Sequence, residues 1–164
     1  MRYFTRGWAN GELPEAEAEK TPKAYWKHVE DLLPGMPAGV AKLAKTNLHD
    51  ALISRACLDT RTRTLTLVLL VWARTGRSCS EVTLRYAGVE TCGQNIETLK
   101  ARARDRESEI LYDEIDSAAD GSWVHRLLFW PEGEISIWFR RLSVRRARKG
   151  NALLSLKPYF QNNE

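Results

Sequence analysis

The segment SWVHRLLFWPEGEISIWFR, residues 122–140, decides the fold. Trp123, His125, Leu127 and Phe129 occupy every second position of its first half, and apolar residues alternate in the same way over residues 134–144. Alternation with period two among aromatic and branched residues is typical of half-buried β-strands. The residues PEG at 131–133 supply turn chemistry between the two runs. The segment therefore predicts an antiparallel hairpin.

Further strand patterns lie upstream of this hairpin. Residues 108–117 alternate and are joined to it by the turn Asp120-Gly121. Residues 52–58, 64–72 and 81–89 give three more strands, and the run at 64–72 is apolar on both faces, which indicates a central strand. Residues 51–144 therefore predict about six strands in a mainly antiparallel sheet.

The first fifty residues have a helical pattern. Apolar residues recur at helical spacing over residues 22–33 and again over residues 37–48, with Pro34-Gly35 between the two runs. We expect these helices to form a hairpin packed on the sheet. Residues 1–11 are expected to dock on the domain, because a free tail seldom carries several aromatic side chains. A short helix is expected within residues 96–104.

These elements predict one α+β domain over residues 1–164, with a helical part at 1–50, an antiparallel sheet at 51–144 and a basic C-terminal tail at 145–164. No apolar run approaches the roughly 20 residues of a membrane-spanning helix. The N-terminus lacks the apolar stretch of a signal peptide, so we expect a cytoplasmic protein with no membrane partner. Cys57, Cys79 and Cys92 are widely spaced and predict neither a disulfide framework nor a zinc knuckle.

Four short motifs occur together in this chain: MRYFT at residues 1–5, LHDA at 48–51, TLRYAGV at 83–89 and LYDEI at 111–115. In combination they resemble an uncharacterised bacterial family of small α+β proteins, a domain of unknown function. The strand pattern is similar to that of several immunity proteins of polymorphic toxins. The resemblance implies a bacterial cytoplasmic protein and favours an interaction role over catalysis.

Histidines and carboxylates supply one candidate for chemistry. His49, Asp50, Asp113 and His125, with Glu114, could bind a divalent metal or perform acid–base catalysis if they converged. Their spacing matches no metal signature. His49 and Asp50 stand at a helix-to-strand junction, where polar pairs cap helices or start turns. Asp113 and Glu114 are neighbours on a strand and should point to opposite faces, and His125 shares its face with apolar residues.

No nucleophile elbow, activated cysteine or phosphate-binding loop is recognisable in the sequence. Neither nucleophilic catalysis nor nucleotide-driven work is therefore indicated, and we expect no cofactor.

Basic residues concentrate near the C-terminal end of the predicted sheet. The formal net charge is +4. Arginines here could contact phosphate while a nearby tryptophan stacks on a base. The structural interpretation is a solvated strand end that offsets the acidic stretches at residues 12–19 and 105–120. The main cluster consists of Arg140, Arg141, Arg145, Arg146, Arg148 and Lys149, and a smaller one of Arg102, Arg104 and Arg106.

Six tryptophans are many for 164 residues. Trp26 and Trp72 lie in apolar patterns and are predicted to be in the core. Tryptophan and arginine dominate the hot spots of protein interfaces. The candidate partner-binding patch consists of Trp130, Trp138, Arg140, Arg141, Arg145 and Arg146.

The favoured hypothesis is a non-enzymatic protein-interaction module, in particular an immunity protein that neutralises a cognate toxin. One alternative is a nucleic-acid-binding accessory protein that uses residues 140–149. Another is a metal-dependent hydrolase that uses His49, Asp50, Asp113 and His125. The expected partner is a protein, and both a monomer and a homodimer are compatible with the sequence.

Overall fold

The computed structural model describes residues 1–73, 78–90 and 93–149. Its helices are α1 (Arg6–Ala9), α2 (Glu15–Ala18), α3 (Lys20–Leu32), α4 (Ala38–Ala44) and α5 (Gly93–Arg102). Its strands are β1 (Ala51–Asp59), β2 (Thr64–Trp72), β3 (Cys79–Ala87), β4 (Glu109–Ser117), β5 (Trp123–Trp130), β6 (Glu134–Phe139) and β7 (Arg141–Lys149). The α+β class is confirmed. No helix in these ranges is both long and apolar enough to cross a membrane.

The strands form one antiparallel sheet in the order β6-β5-β4-β1-β2-β3-β7. The sheet has seven strands rather than about six, because the run predicted over 134–144 is interrupted at Arg140 and its second part pairs elsewhere. Residues 145–149, predicted to begin a basic tail, belong to β7, which pairs with β3 along its length. Cys92 and the rest of the predicted tail, residues 150–164, lie outside the described residues.

The sheet folds over on itself. β1 and β4 pair at only two positions, so the sheet divides into a first arm (β6-β5-β4) and a second arm (β1-β2-β3-β7). The inner faces of the arms meet, since the rings of Tyr86 on β3 and Phe139 on β6 lie 5.1 Å apart. Arg140 alone joins β6 to β7, and its N–H donates to the carbonyl of Ala87 at 3.0 Å. The main apolar core fills the space between the arms.

A β-bulge decides which side chains of β4 face this core. The register of β4 against β5 shifts between Ile110 and Tyr112, so Leu111 is the extra residue. Ile110 therefore points into the core while Tyr112 packs in a separate cluster on the outer surface. Asp113 then points inward and Glu114 outward, in agreement with the predicted opposite faces.

Helices α3 and α4 do not form the predicted hairpin. A 3-10 turn at Leu33–Gly35 ends α3, and the next residue is extended, which redirects the chain before α4. α3 packs on the outer surface of β4 through Tyr25 and Val29, whereas Val40 and Leu43 of α4 enter the main core. Trp26, predicted in the core, is 51% exposed because it lies beside the buried stripe of α3.

The first turn of α4 approaches β7 very closely. A Cβ atom placed on Gly39 would lie 1.8 Å from the carbonyl oxygen of Leu142. The backbones of α4 and β7 are thus in direct contact, at a distance that only glycine permits.

Candidate functional site

A buried carboxylate holds the N-terminal segment against β4. Glu114 is 1% exposed, and its two oxygens accept the backbone N–H groups of Arg2, Tyr3 and Phe4 at 2.8, 2.7 and 2.6 Å. Hydrogen bonds to an ionised acceptor are stronger than those between neutral groups. The predicted docking of residues 1–11 is confirmed for this stretch, and the MRYFT motif is bound directly to the LYDEI motif.

Asp116, two residues further along β4, contacts three basic side chains. Its Oδ1 lies 2.9 Å from His28 Nε2, and its Oδ2 lies 3.3 Å from Arg126 and 3.6 Å from Arg2. Burial by itself would raise the pKa of Asp116. The hydrogen bonds from His28 and from the N–H of Ser117, together with the charge of His28 and a hydrogen bond from Arg126, nevertheless lower that pKa below its ordinary value.

We expect Asp116 to make the stability of the fold depend on pH in the acid range. Its pKa is lower in the folded chain than the ordinary value of 3.8. Its contribution is therefore complete above 3.8 and is lost as the pH falls through the folded value. The difference between the free energies of unfolding of wild type and Asp116→Asn should be larger at about pH 5 than at about pH 3. Urea titrations measure these free energies. A difference between wild type and variant that has the same size at both pH values would contradict this assignment.

An aromatic groove of about 590 Å³ lies beside the docked segment, between α3, the α4–β1 junction and β4. It is open to solvent along Trp26, the exposed residue of α3. We call this feature the aromatic groove. The aromatic residues of its lining are Phe4, Trp8, Tyr25, Trp26, His49 and Tyr112.

Asp113 connects the aromatic groove to a buried histidine. It lines the groove, and its Oδ2 lies 3.2 Å from Nε2 of His125. His125 is fully buried, and its Nδ1 lies 2.7 Å from the hydroxyl of Tyr86. The hydroxyl donates to Nδ1, so Nε2 carries the proton that is donated to Asp113. Both ring nitrogens are satisfied, which is the structural role that the sequence predicts for His125.

The four residues considered for a metal site fall into two pairs. His125 pairs with Asp113, and His49 Nε2 lies 3.3 Å from Asp50 Oδ1. The ring of His49 also bonds the carbonyl of Leu111, and Asp50 has a φ of 61°, so both residues serve the turn into β1. Within the described ranges, no three His, Cys, Asp or Glu side chains are grouped so that they could hold a metal ion.

Strand pairing brings arginines from β1, β3 and β7 onto the outer surface of the second arm. Residues paired directly across strands share a face of the sheet. Three successive rows on this face read Arg55, Val68, Thr83, Arg145, then Cys57, Thr66, Arg85, Ser143, then Asp59, Thr64, Ala87, Arg141. We call Arg55, Arg85, Arg141 and Arg145 the arginine face, and all four are exposed.

The arginine face carries one carboxylate in its three rows, Asp59. Hydrogen bonds from Thr62 and, to a smaller extent, the charge of Arg85 lower the pKa of Asp59 below its ordinary value. Throughout residues 1–73, 78–90 and 93–149, no ion pair involves any of its four guanidinium groups. The acidic stretches do compensate Arg140, whose Nη2 lies 2.8 Å from Asp120 Oδ2. Arg55 and Arg85 were not predicted to belong to a binding surface, because only the strand register places them beside the C-terminal arginines.

The six residues of the predicted patch do not share one surface. Arg141 and Arg145 belong to the arginine face. Arg146 is paired with Val82 and therefore lies on the opposite face of the sheet. Trp138 is 37% exposed on the outer surface of the first arm. Trp130 is 54% exposed but stands at the opposite end of the β5–β6 hairpin. The side chain of Lys149 lies outside the described part of the chain.

The smaller basic cluster divides in the same way. Arg102 has structural partners, because its guanidinium donates to Ser108 and to the carbonyl of Glu132 and stands over the ring of Phe129. Arg104 and Arg106 are exposed.

Comparison with protein-family models, with curated proteins and with solved structures found no match for this chain. Its function is therefore inferred from the side chains of these surfaces and from the sequence motifs.

Proposed function

We propose that this protein is a non-enzymatic interaction module whose arginine face binds an acidic surface of another protein. One observation carries the proposal: four exposed arginines, none of which forms an ion pair within the described residues, stand on one face of the sheet, and Asp59 is the one carboxylate in the same rows. Arginine is enriched at protein interfaces, and complementary charge accelerates encounter and selects the partner.

The composition of the face favours a protein over a nucleic acid. Besides the arginines, its three rows contain threonine, serine, alanine, valine, Cys57 and Asp59, and no tryptophan, tyrosine or phenylalanine. Single-stranded nucleic acids are usually bound on aromatic stacking platforms, which these rows do not offer. The hydroxyl groups of Thr66, Thr83 and Ser143 can form hydrogen bonds of the kind found at the polar rim of a protein–protein interface.

The resemblance to immunity proteins suggests the class of partner, a bacterial toxin that the protein neutralises by binding. The charge of the arginine face limits which surface of the toxin is covered. A nuclease would have to be contacted away from its phosphate-binding groove, because such a groove is itself basic. An acidic surface of the toxin is the complementary target.

Charge reversal on the face should abolish capture of the partner. We expect the tagged wild type to retain one stoichiometric protein from a lysate of its source after nuclease treatment, and Arg85→Glu/Arg145→Glu to bind that protein at least about tenfold more weakly. The matched control is Arg104→Glu/Arg106→Glu, which makes the same change in net charge at exposed positions elsewhere. Binding should also weaken with salt, since the screening length is about 10 Å at 0.1 M.

The outcomes separate the candidate functions. Equal loss of binding in both double variants would show that net charge, rather than this face, matters, and would contradict the proposal. Retention of nucleic acid alone, which disappears after nuclease treatment, would support the nucleic-acid alternative.

A further inference from the structure

The aromatic groove combines two features that are seldom exposed together. One is a wall of aromatic rings, of which Trp26 is half exposed although it is a large apolar side chain. The other is Asp113, which belongs to the same lining although its side chain lies on the core side of β4. The edge of β4 is not paired with β1 at this position, and the Asp113 side chain is 18% exposed. A volume of about 590 Å³ is in the range of sites that hold small molecules.

The aromatic wall is rigidly supported. Phe4 stacks on Tyr112 with ring centroids 5.2 Å apart, and Trp8 meets Tyr112 edge-on at 4.9 Å. The indole N–H of Trp8 donates to the carbonyl of Ala18 at 2.9 Å. These rings are held by the segment that Glu114 fixes, so the groove has its shape before any ligand arrives.

The carboxylate is oriented and has a free oxygen. Oδ2 of Asp113 accepts from the buried His125, and within the described ranges Oδ1 has no hydrogen-bond partner. The negative charge of Asp113 also acts on the groove. Burial raises the pKa of Tyr25, and the charge of Asp113 raises this pKa further. Burial and then the charge of Asp50 raise the pKa of Tyr112 in the same way.

We infer that the aromatic groove is a binding site for a small organic ammonium ion, with the cation on the face of Trp26 and its charge balanced by Asp113. The faces of aromatic rings attract cations, and tryptophan does so most strongly. The surface of the lining is mainly apolar, which favours an alkylated ammonium group over a heavily hydrated one. The inference does not depend on the proposed function, because the groove adjoins the first arm and the arginine face lies on the second.

One cation of the protein itself opposes this site. Lys45 stands on the rim of the groove and is exposed. Its ammonium repels a bound cation, so its removal should strengthen binding. Loss of a residue that merely shaped the groove would have the reverse effect, which makes Lys45→Ala an informative control.

The test titrates the full chain with choline chloride at constant ionic strength and follows the indole N–H signals of its tryptophans by NMR. Choline should shift the Trp26 signal saturably. Its uncharged isostere, in which a tert-butyl group replaces the trimethylammonium group, should bind much more weakly. Trp26→Ala should raise the Kd about five- to tenfold. Trp26 is half exposed, so this substitution leaves the core intact.

Asp113→Asn should also raise the Kd, while the amide oxygen still accepts the proton of His125. Lys45→Ala should lower the Kd, and a higher Kd in this variant would contradict the placement of the cation. Equal binding of choline and its neutral isostere would overturn the inference, because the groove would then be only an apolar cleft. Absence of a saturable shift at Trp26 would overturn it too. A peptide carrying trimethyl-lysine that binds far more tightly than choline would place the cation on a polypeptide and overturn the assignment to a small molecule.

Discussion

Gly39→Ala is expected to lower the melting temperature by about 4–8 °C, although alanine is the better helix former. In an exposed helix the change from glycine to alanine adds up to about 1 kcal/mol of stability. Here the new Cβ atom would lie 1.8 Å from the carbonyl oxygen of Leu142. That atom belongs to the backbone of β7 and cannot rotate away, so α4 or β7 must move. Overpacking of this kind costs about 3 kcal/mol, which outweighs the gain in helix propensity.

Gly35→Ala provides the matched control. Gly35 closes the 3-10 turn before α4, and a Cβ atom there would meet nothing within 4 Å. Its free energy of unfolding should stay within about 0.5 kcal/mol of the wild type. Calorimetry of the three proteins measures both effects. Equal melting temperatures for Gly39→Ala and Gly35→Ala would show that α4 does not press on β7 in solution.

Glu114→Ala should cost about 3–5 kcal/mol of the free energy of unfolding and release the N-terminal segment. Glu114 is buried, and its carboxylate accepts three consecutive backbone N–H groups. Alanine leaves these donors without an acceptor, and the N–H of Phe4 is then buried without a partner. The donors can regain partners only if residues 2–4 detach into solvent, which would also uncover Phe4.

Hydrogen exchange distinguishes this loss of docking from general destabilisation. In Glu114→Ala the amides of Tyr3 and Phe4 should exchange at the rate of an unstructured peptide, while amides in the centre of β2 stay protected. Glu30→Ala, a change at an exposed glutamate of α3, should leave both sets protected. Slow exchange at Tyr3 and Phe4 in Glu114→Ala would mean that another group holds the segment.

The strands were predictable because their apolar periodicity depends on nearest neighbours along the chain. The bulge at Leu111 was not, since an uninterrupted alternation would put Ile110 and Tyr112 on the same face, whereas the structure separates them. The stripe of α3 was ambiguous for a similar reason. Tyr25 and Trp26 are adjacent apolar residues, and only the position of β4 decides that Tyr25 is buried and Trp26 exposed.

The candidate sites were harder to predict than the fold. Glu114 looks like an ordinary outward-facing residue of a strand, because its partners are backbone amides that have no side-chain signature. Arg55 and Arg85 join Arg145 through pairing across three strand interfaces, and no short motif encodes that register. His125 was predictable as a structural residue because its neighbours on one face are apolar.

The passage from β6 to β7 through Arg140 has a consequence for the nascent chain. β3 is synthesised well before β7, the strand that covers its second edge. At about 5–20 residues per second, translation of the intervening chain takes several seconds. During that interval β3 presents an open edge on which a neighbouring polypeptide can add a strand. The vulnerable form of this protein is therefore the one still attached to the ribosome, and the pairing of β7 with β3 ends the exposure of this edge.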